Sequence, residues 1–155
     1  MRASTPTASI LAILPSAEDQ TSLKQIFYRS DWKLSVVTAI HQARANIDRV
    51  AAGVVISDSH LPDGKWQDVL AELHRSRFEP VLIVASRLAD DRLWAEVLNL
   101  GGYDVLATPL QSWEVKRSVS LAWQTWQDRI SDGLRAREKV IAAGSQGGLN
   151  PEWLP

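Results

Sequence analysis

Five short stretches of this chain are apolar almost from end to end, and amphipathic segments separate them. That pattern constrains the fold more than any other feature. The stretches are residues 9–14, 33–38, 53–58, 80–86 and 103–108. A strand with one wet face alternates apolar and polar residues, whereas one apolar throughout is covered on both faces. The intervening segments have helical periodicity. Residues 18–29 put Leu23, Ile26 and Phe27 on one face, and 40–51 do so with Ile40, Ala43, Ile47 and Val50. Residues 65–76 present Val69, Leu70 and Leu73, and 89–100 present Leu93, Val97 and Leu100. Strands that alternate with helices imply right-handed crossovers and a parallel sheet. The expectation is an α/β domain: a five-stranded parallel sheet, doubly wound, with helices on both faces.

The last helix, from Ser112, is too long for such a domain. Val115, Val119, Trp123, Trp126, Ile130, Leu134 and Ile141 continue one apolar stripe past the point where the sheet should end. Gly133 weakens that stretch by about 1 kcal/mol relative to alanine. From Ala143 the composition turns to Gly, Ser, Asn and Pro, which predicts fraying, with Trp153 and Leu154 left to dock elsewhere. The division expected is a domain over 8–127 and a helical extension and tail over 128–155.

Bulk composition excludes several function classes. A net charge of −1 supplies no field for nucleic acid or an anionic membrane. The absence of cysteine rules out disulfides, thiolate zinc sites and cysteine nucleophiles. The apolar run 10–14 is too short for a signal-peptide core or a membrane span. A soluble, cytoplasmic protein without a nucleic-acid or membrane partner is expected, and the stretch after residue 127 is too short for a helix-turn-helix module. The loop Leu14-Pro-Ser-Ala-Glu18 has no glycine to cradle a phosphate, and no Ser/His/Asp set is evident, so no enzymatic activity is expected.

The chemistry-bearing candidate is Asp58. An apolar strand delivers its carboxylate to the strand's C-terminal end, where ligands sit in open α/β sheets, and Pro62 and Gly64 turn the chain at once. Three segments carry a family resemblance here. Asp58-Ser-His-Leu-Pro-Asp-Gly64 looks like the phosphoacceptor loop Asp-x-x-Leu-Pro-Asp-Gly of response-regulator receiver domains, the CheY-like family with a flavodoxin-like fold. Leu100-Gly-Gly-Tyr-Asp-Val-Leu-Ala-Thr-Pro-Leu110 is similar to the family's Gly-Ala-x-Asp-Tyr-x-x-Lys-Pro-Phe segment, and Pro80-Val-Leu-Ile-Val-Ala-Ser86 to its fourth strand. The resemblance covers roughly residues 8–127.

What the resemblance implies is a stand-alone receiver of a two-component phosphorelay, with Asp58 as phosphoacceptor and a histidine kinase or other signalling protein as partner. Position by position, the family's helpers are missing. The two acids that hold Mg²⁺ fall on Leu14 and Pro15. The switch hydroxyl falls on Ala85, with Ser86 one place later; the lysine falls on Thr108, and the switch aromatic on Val105, with Tyr103 nearby. The resemblance also implies a cis bond before Pro109.

Mg²⁺ wants near-octahedral oxygen ligands, anchored by one or two carboxylates. Asp58, helped by the His60 carbonyl, is left with Glu18 and Asp19 as weak candidate ligands. Ser16-Ala-Glu-Asp19 reads first of all as a capped helix start. Impaired Mg²⁺-dependent phosphorylation is therefore expected. Asp58 is either a live phosphoacceptor or a structural acid, and Ser86 and Thr108 are crevice neighbours that satisfy each other or Asp58. The alternative is a phosphorylation-independent pseudo-receiver, an interaction or dimerisation module that uses Trp123, Trp126, Ile130 and Leu134 of the last helix.

Overall fold

A computed structural model describes residues 8–147, with side chains through residue 143. Trp153 and Leu154 lie outside the described residues. Along the chain run Ser9–Ile13 (β1), Ala17–Phe27 (α1), Lys33–Val37 (β2), Ile40–Asn46 (α2), Val54–Asp58 (β3), His60–Leu61 (β4), Gly64–Lys65 (β5), Trp66–Arg75 (α3), Val81–Ser86 (β6), Asp91–Leu100 (α4), Asp104–Ala107 (β7) and Ser112–Gly147 (α5). Five of the strands form one parallel sheet in the order β2-β1-β3-β6-β7.

Each strand feeds two cores because successive side chains point to opposite faces. Ile10, Ala12, Val54, Ile56, Val81, Ile83 and Leu106 pack with Leu23 and Phe27 of α1 and Val115, Val119 and Ala122 of α5. Leu11, Ile13, Val55, Leu82, Val84 and Val105 pack with Ile40 and Ala43 of α2, Val69 and Leu73 of α3 and Val97 of α4. The doubly wound α/β expectation holds.

Three regions differ from the sequence reading. Helix α2 stops at Asn46, well short of residue 51, and the chain closes in turns with Ala51 at φ 51° and the Ala52 amide donating to the Ile47 carbonyl at 3.2 Å. The loop after Asp58 carries an unanticipated two-rung hairpin, β4–β5, with His60 opposite Lys65 and Leu61 opposite Gly64. Instead of fraying from Ala143, α5 continues to Gly147. Its 36 residues span about 54 Å at the α-helical rise.

The middle of α5 is tied to its own domain. The rings of Trp123 and Trp126 stack with centroids 4.8 Å apart, and the Trp126 indole donates to the Phe78 carbonyl at 2.9 Å. They sit directly over Gly53, where a methyl group would collide with both rings. Beyond them Leu134 is 54% and Ile141 68% exposed. Of the residues expected to form a dimer helix, Trp123 and Trp126 pack against the core of their own domain, Ile130 is half-buried and Leu134 is exposed.

Candidate functional site

β1 hands the chain to β2 on one side, whereas β3, β6 and β7 follow on the other. The topological switch therefore lies between β1 and β3, where a crevice opens at the strands' C-terminal ends. It encloses about 610 Å³ and takes Asp58 from the end of β3, Pro15 from the loop before α1 and Asp19 from its first turn, His60 and Lys65 from the hairpin, Ser86 from the end of β6, and Arg87 and Arg92 from the region after it.

Asp58 is half-buried, and its Oδ1 accepts the His60 amide at 3.0 Å. Asp19 is the second acid. Ser16 caps α1, accepting the Asp19 amide at 3.4 Å, and the following turn points the Asp19 side chain into the crevice, only 8% exposed. Burial, then the neighbouring Asp58 charge, pushes the Asp19 carboxyl above the usual aspartate value, and the Arg87 guanidinium pulls it back. So the capping and crevice readings of this helix start are both realised, the first by Ser16 and the second by Asp19. Glu18 points to solvent and does not line the crevice.

Leu14 is fully buried among the apolar residues under α1, and its carbonyl accepts the Gln20 side-chain Nε2 at 2.6 Å. Pro15 lines the crevice but offers no side-chain donor. Among the described residues no group of three or more His, Cys, Asp or Glu could hold a metal ion. Asp58 and Asp19 are the acids that the central strand and the start of α1 bring to the crevice, and Mg²⁺ is usually anchored by one or two carboxylates with water and phosphate completing its octahedron.

The hydroxyls fall differently from the sequence expectation. Asp58 pairs in register with Ala85, which is fully buried on the α1/α5 side. Ser86, one residue on, turns to the opposite face because strand side chains alternate. Its Oγ accepts Ser59 Oγ at 3.2 Å and the Leu88 amide at 3.1 Å, and makes no bond to Asp58. Thr108 meets Ser86 only through the backbone, its amide donating to the Ser86 carbonyl at 3.1 Å, and it does not line the crevice. The Thr108–Pro109 peptide is cis. Tyr103 precedes β7 and packs against the α1/α5 core, whereas Val105 faces the other core, so Tyr103 does not take over the face of Val105.

Two features had gone unread. Arg87, Arg92 and Lys65 bring positive charge to the crevice from loop and helix starts, positions that strand patterning does not reveal. Asp63 caps α2 from a distance: Oδ1 accepts the Ile40 amide at 2.9 Å, and Oδ2 accepts the His41 amide at 3.1 Å and approaches its ring Nδ1 at 3.0 Å. These bonds hold its carboxyl at about 2, the Ile40 amide having the largest effect. The signal was present in Ala39, which has no side chain able to cap the helix itself.

With this geometry in hand, the fold has clear relatives. No protein-family profile matches the chain. The signal receiver domain of a protein described as a Luxo repressor from Vibrio parahaemolyticus superimposes at TM-score 0.73 with 22% identity, over 83% of this chain and 98% of that one. A CheY-like response regulator receiver domain from Methanospirillum hungatei JF-1 superimposes at 0.70 with 17% identity, over 80% and 99%. A fusion containing the trimeric coiled coil of yeast Spc42 aligns at 0.70 with 10% identity, over 96% and 100%. In sequence, 69 residues are 29% identical to the transcriptional regulatory protein DpiA of Escherichia coli K12, covering 44% of this chain. The match spans 30% of that relative's length. The chain has the CheY-like receiver fold of two-component response regulators. No described helix is long and apolar enough to cross a membrane.

Proposed function

We propose that this chain is a receiver module of two-component signalling in which Asp58 is the phosphoacceptor and Mg²⁺-assisted phosphoryl transfer is weakened. The carrying observation is the position of Asp58: the last residue of the central strand, at the floor of the switch-point crevice, within a receiver fold. Phosphorylation of a carboxylate concentrates negative charge that Mg²⁺ and a lysine ordinarily offset. Here Leu14, Pro15 and Thr108 supply neither. The hydroxyl that would sense the phosphoryl group is replaced by Ala85, and Ser86 is committed to Ser59 and Leu88. Phosphorylation should therefore shift the population of conformers little, because the two states differ by few contacts. A histidine kinase is the partner class this reading implies, and the module acts by contact with another protein rather than by catalysis.

Incubation with acetyl phosphate and Mg²⁺, read by intact mass, tests the reading. A phosphoryl adduct that Asp58→Asn abolishes is expected, formed slowly and to low occupancy. An adduct that persists in Asp58→Asn removes Asp58 from the role.

A second reading has one observation of its own. Helix α5 runs about 30 Å beyond residue 127, and Leu134 and Ile141 on it are exposed. A phosphorylation-independent module that pairs through this arm would explain them. Sedimentation of Leu134→Glu/Ile141→Glu against the parent chain decides the matter, since neither side chain supports the domain core. Equal monomer mass in both removes pairing through the arm.

A further inference from the structure

A second concavity, of about 470 Å³, lies at the N-terminal end of the strands, the end away from Asp58. Arg77–Glu79, which lead into β6, form one wall, and α5 forms the other. The floor is apolar: Phe78, Trp126 and Ile130 are half-buried there, and Leu134 is exposed. Arg77, Arg129 and Arg137 line the same groove and are exposed, with Glu79 as the sole acid beside them. The loop wall is fixed in place. The Arg77 amide donates to Asp48 Oδ1 at 3.0 Å, the Arg77 guanidinium carbon lies 5.2 Å from the centre of the Phe78 ring, and the Trp126 indole donates to the Phe78 carbonyl at 2.9 Å. Among the described residues, none of the three guanidiniums has a carboxylate within 4.0 Å. An aromatic and aliphatic floor with arginine at its edge is the make-up of a protein interface, and a wall already held in position binds at a lower entropic cost.

We propose that this groove docks an acidic amphipathic helix of a partner protein, its aliphatic side chains on Trp126, Ile130 and Leu134 and its carboxylates on the three guanidiniums. Charge selects this occupant. A second copy of the arm would bring Arg129, Arg135, Arg137 and Lys139 with Asp128, Asp132 and Glu138, more cations than acids, so two paired arms do not neutralise the rim. An anionic lipid surface would meet the rim but is too flat to reach the floor. An amphipathic helix supplies both parts at once, with apolar anchors three and four residues apart and acids flanking them. Because the groove and Asp58 lie at opposite ends of the sheet, docking needs no phosphoryl group, and the inference stands apart from the receiver reading.

Fluorescence anisotropy of a labelled model helix tests it. The probe has about 15 residues, enough for a stable isolated helix, with Leu at every third or fourth position and Glu between; a control carries Lys in place of each Glu. The parent chain should bind the Glu probe and not the Lys control, and added salt should weaken the binding. Arg129→Glu/Arg137→Glu should reduce affinity about tenfold or more at low salt. Space over Gly133 is open, so Gly133→Leu fills the floor while keeping every charge, and it should also lose the probe. No binding by the parent, or equal binding of both peptides, overturns the proposal. Binding that survives Arg129→Glu/Arg137→Glu or Gly133→Leu places the probe elsewhere and does the same. A parent dimer that the Arg129→Glu/Arg137→Glu chain cannot form, seen by sedimentation, gives the groove to a second copy instead. Capture by phosphatidylserine vesicles with the peptide ignored gives it to a membrane.

Discussion

Asp63 shows how one side chain can be both motif and mortar. The resemblance presents it as part of a loop signature. In the structure its two oxygens hold the first amides of α2, whose own cap position is Ala39. A helix start leaves amides without partners, and a carboxylate there is favoured by hydrogen bonding and by the helix dipole. The carboxyl titrates at about 2 in the folded chain against 3.8 ordinarily. Its contribution is thus complete above about pH 4, declines as pH falls toward 2, and vanishes below that. Asp63→Ala should melt at lower temperature than the parent at pH 7, and the gap should close as pH approaches 2. A gap of constant size across that window in pH-dependent melts would remove the charge from the explanation. At the same scale, Asp58 was legible because a charged residue ends an apolar run. Asp19 and Arg87 were not, because only the fold says which way a first-turn or loop side chain points.

At the scale of elements, two glycines bearing on α5 have opposite expected effects. Gly53 lies beneath the stacked Trp123 and Trp126 rings, and a methyl group there has nowhere to go. Gly53→Ala should cost about 1–3 kcal/mol, the usual cost of overpacking. Gly133 sits inside α5 with open space around its would-be Cβ. Gly133→Ala should stabilise the helix by about 0.5–1 kcal/mol, because alanine loses less backbone entropy there. Denaturant melts measure both, and a destabilised Gly133→Ala would mean that something covers this face in solution. The five strands of the parallel sheet were readable within a residue or so, since burial on both faces leaves an unbroken apolar run. The end of α2 was not: Val50 keeps the helical spacing and packs against the core, although the helix has already stopped at Asn46. Periodicity records which side chains are buried, not which backbone bonds close.

For the whole molecule, stability is concentrated in the two cores and falls away along the arm. Val115, Val119 and Ala122 are fully buried, whereas Val140 and Ile141 are about as exposed as side chains on an isolated helix. Amides near residues 115–122 should exchange with solvent only on global opening, and those beyond residue 134 should exchange orders of magnitude faster. Hydrogen exchange on a dilute, monomeric sample reads this directly. Slow exchange throughout the arm would show that the domain or a partner covers it.

Unbroken apolar runs, helical stripes and Pro/Gly punctuation were enough to specify a doubly wound parallel sheet with an acid at the rim of its central strand, because burial on two faces writes itself into local composition. Tertiary structure alone decided which charges meet that acid. Asp19, Asp58 and Arg87 are far apart in the chain, and the side-by-side order β1-β3-β6 brings them to one crevice. It also decided that the tryptophan pair of α5 closes over Gly53 instead of facing outward, since an aromatic stripe has the same spacing whether its own domain or another molecule covers it.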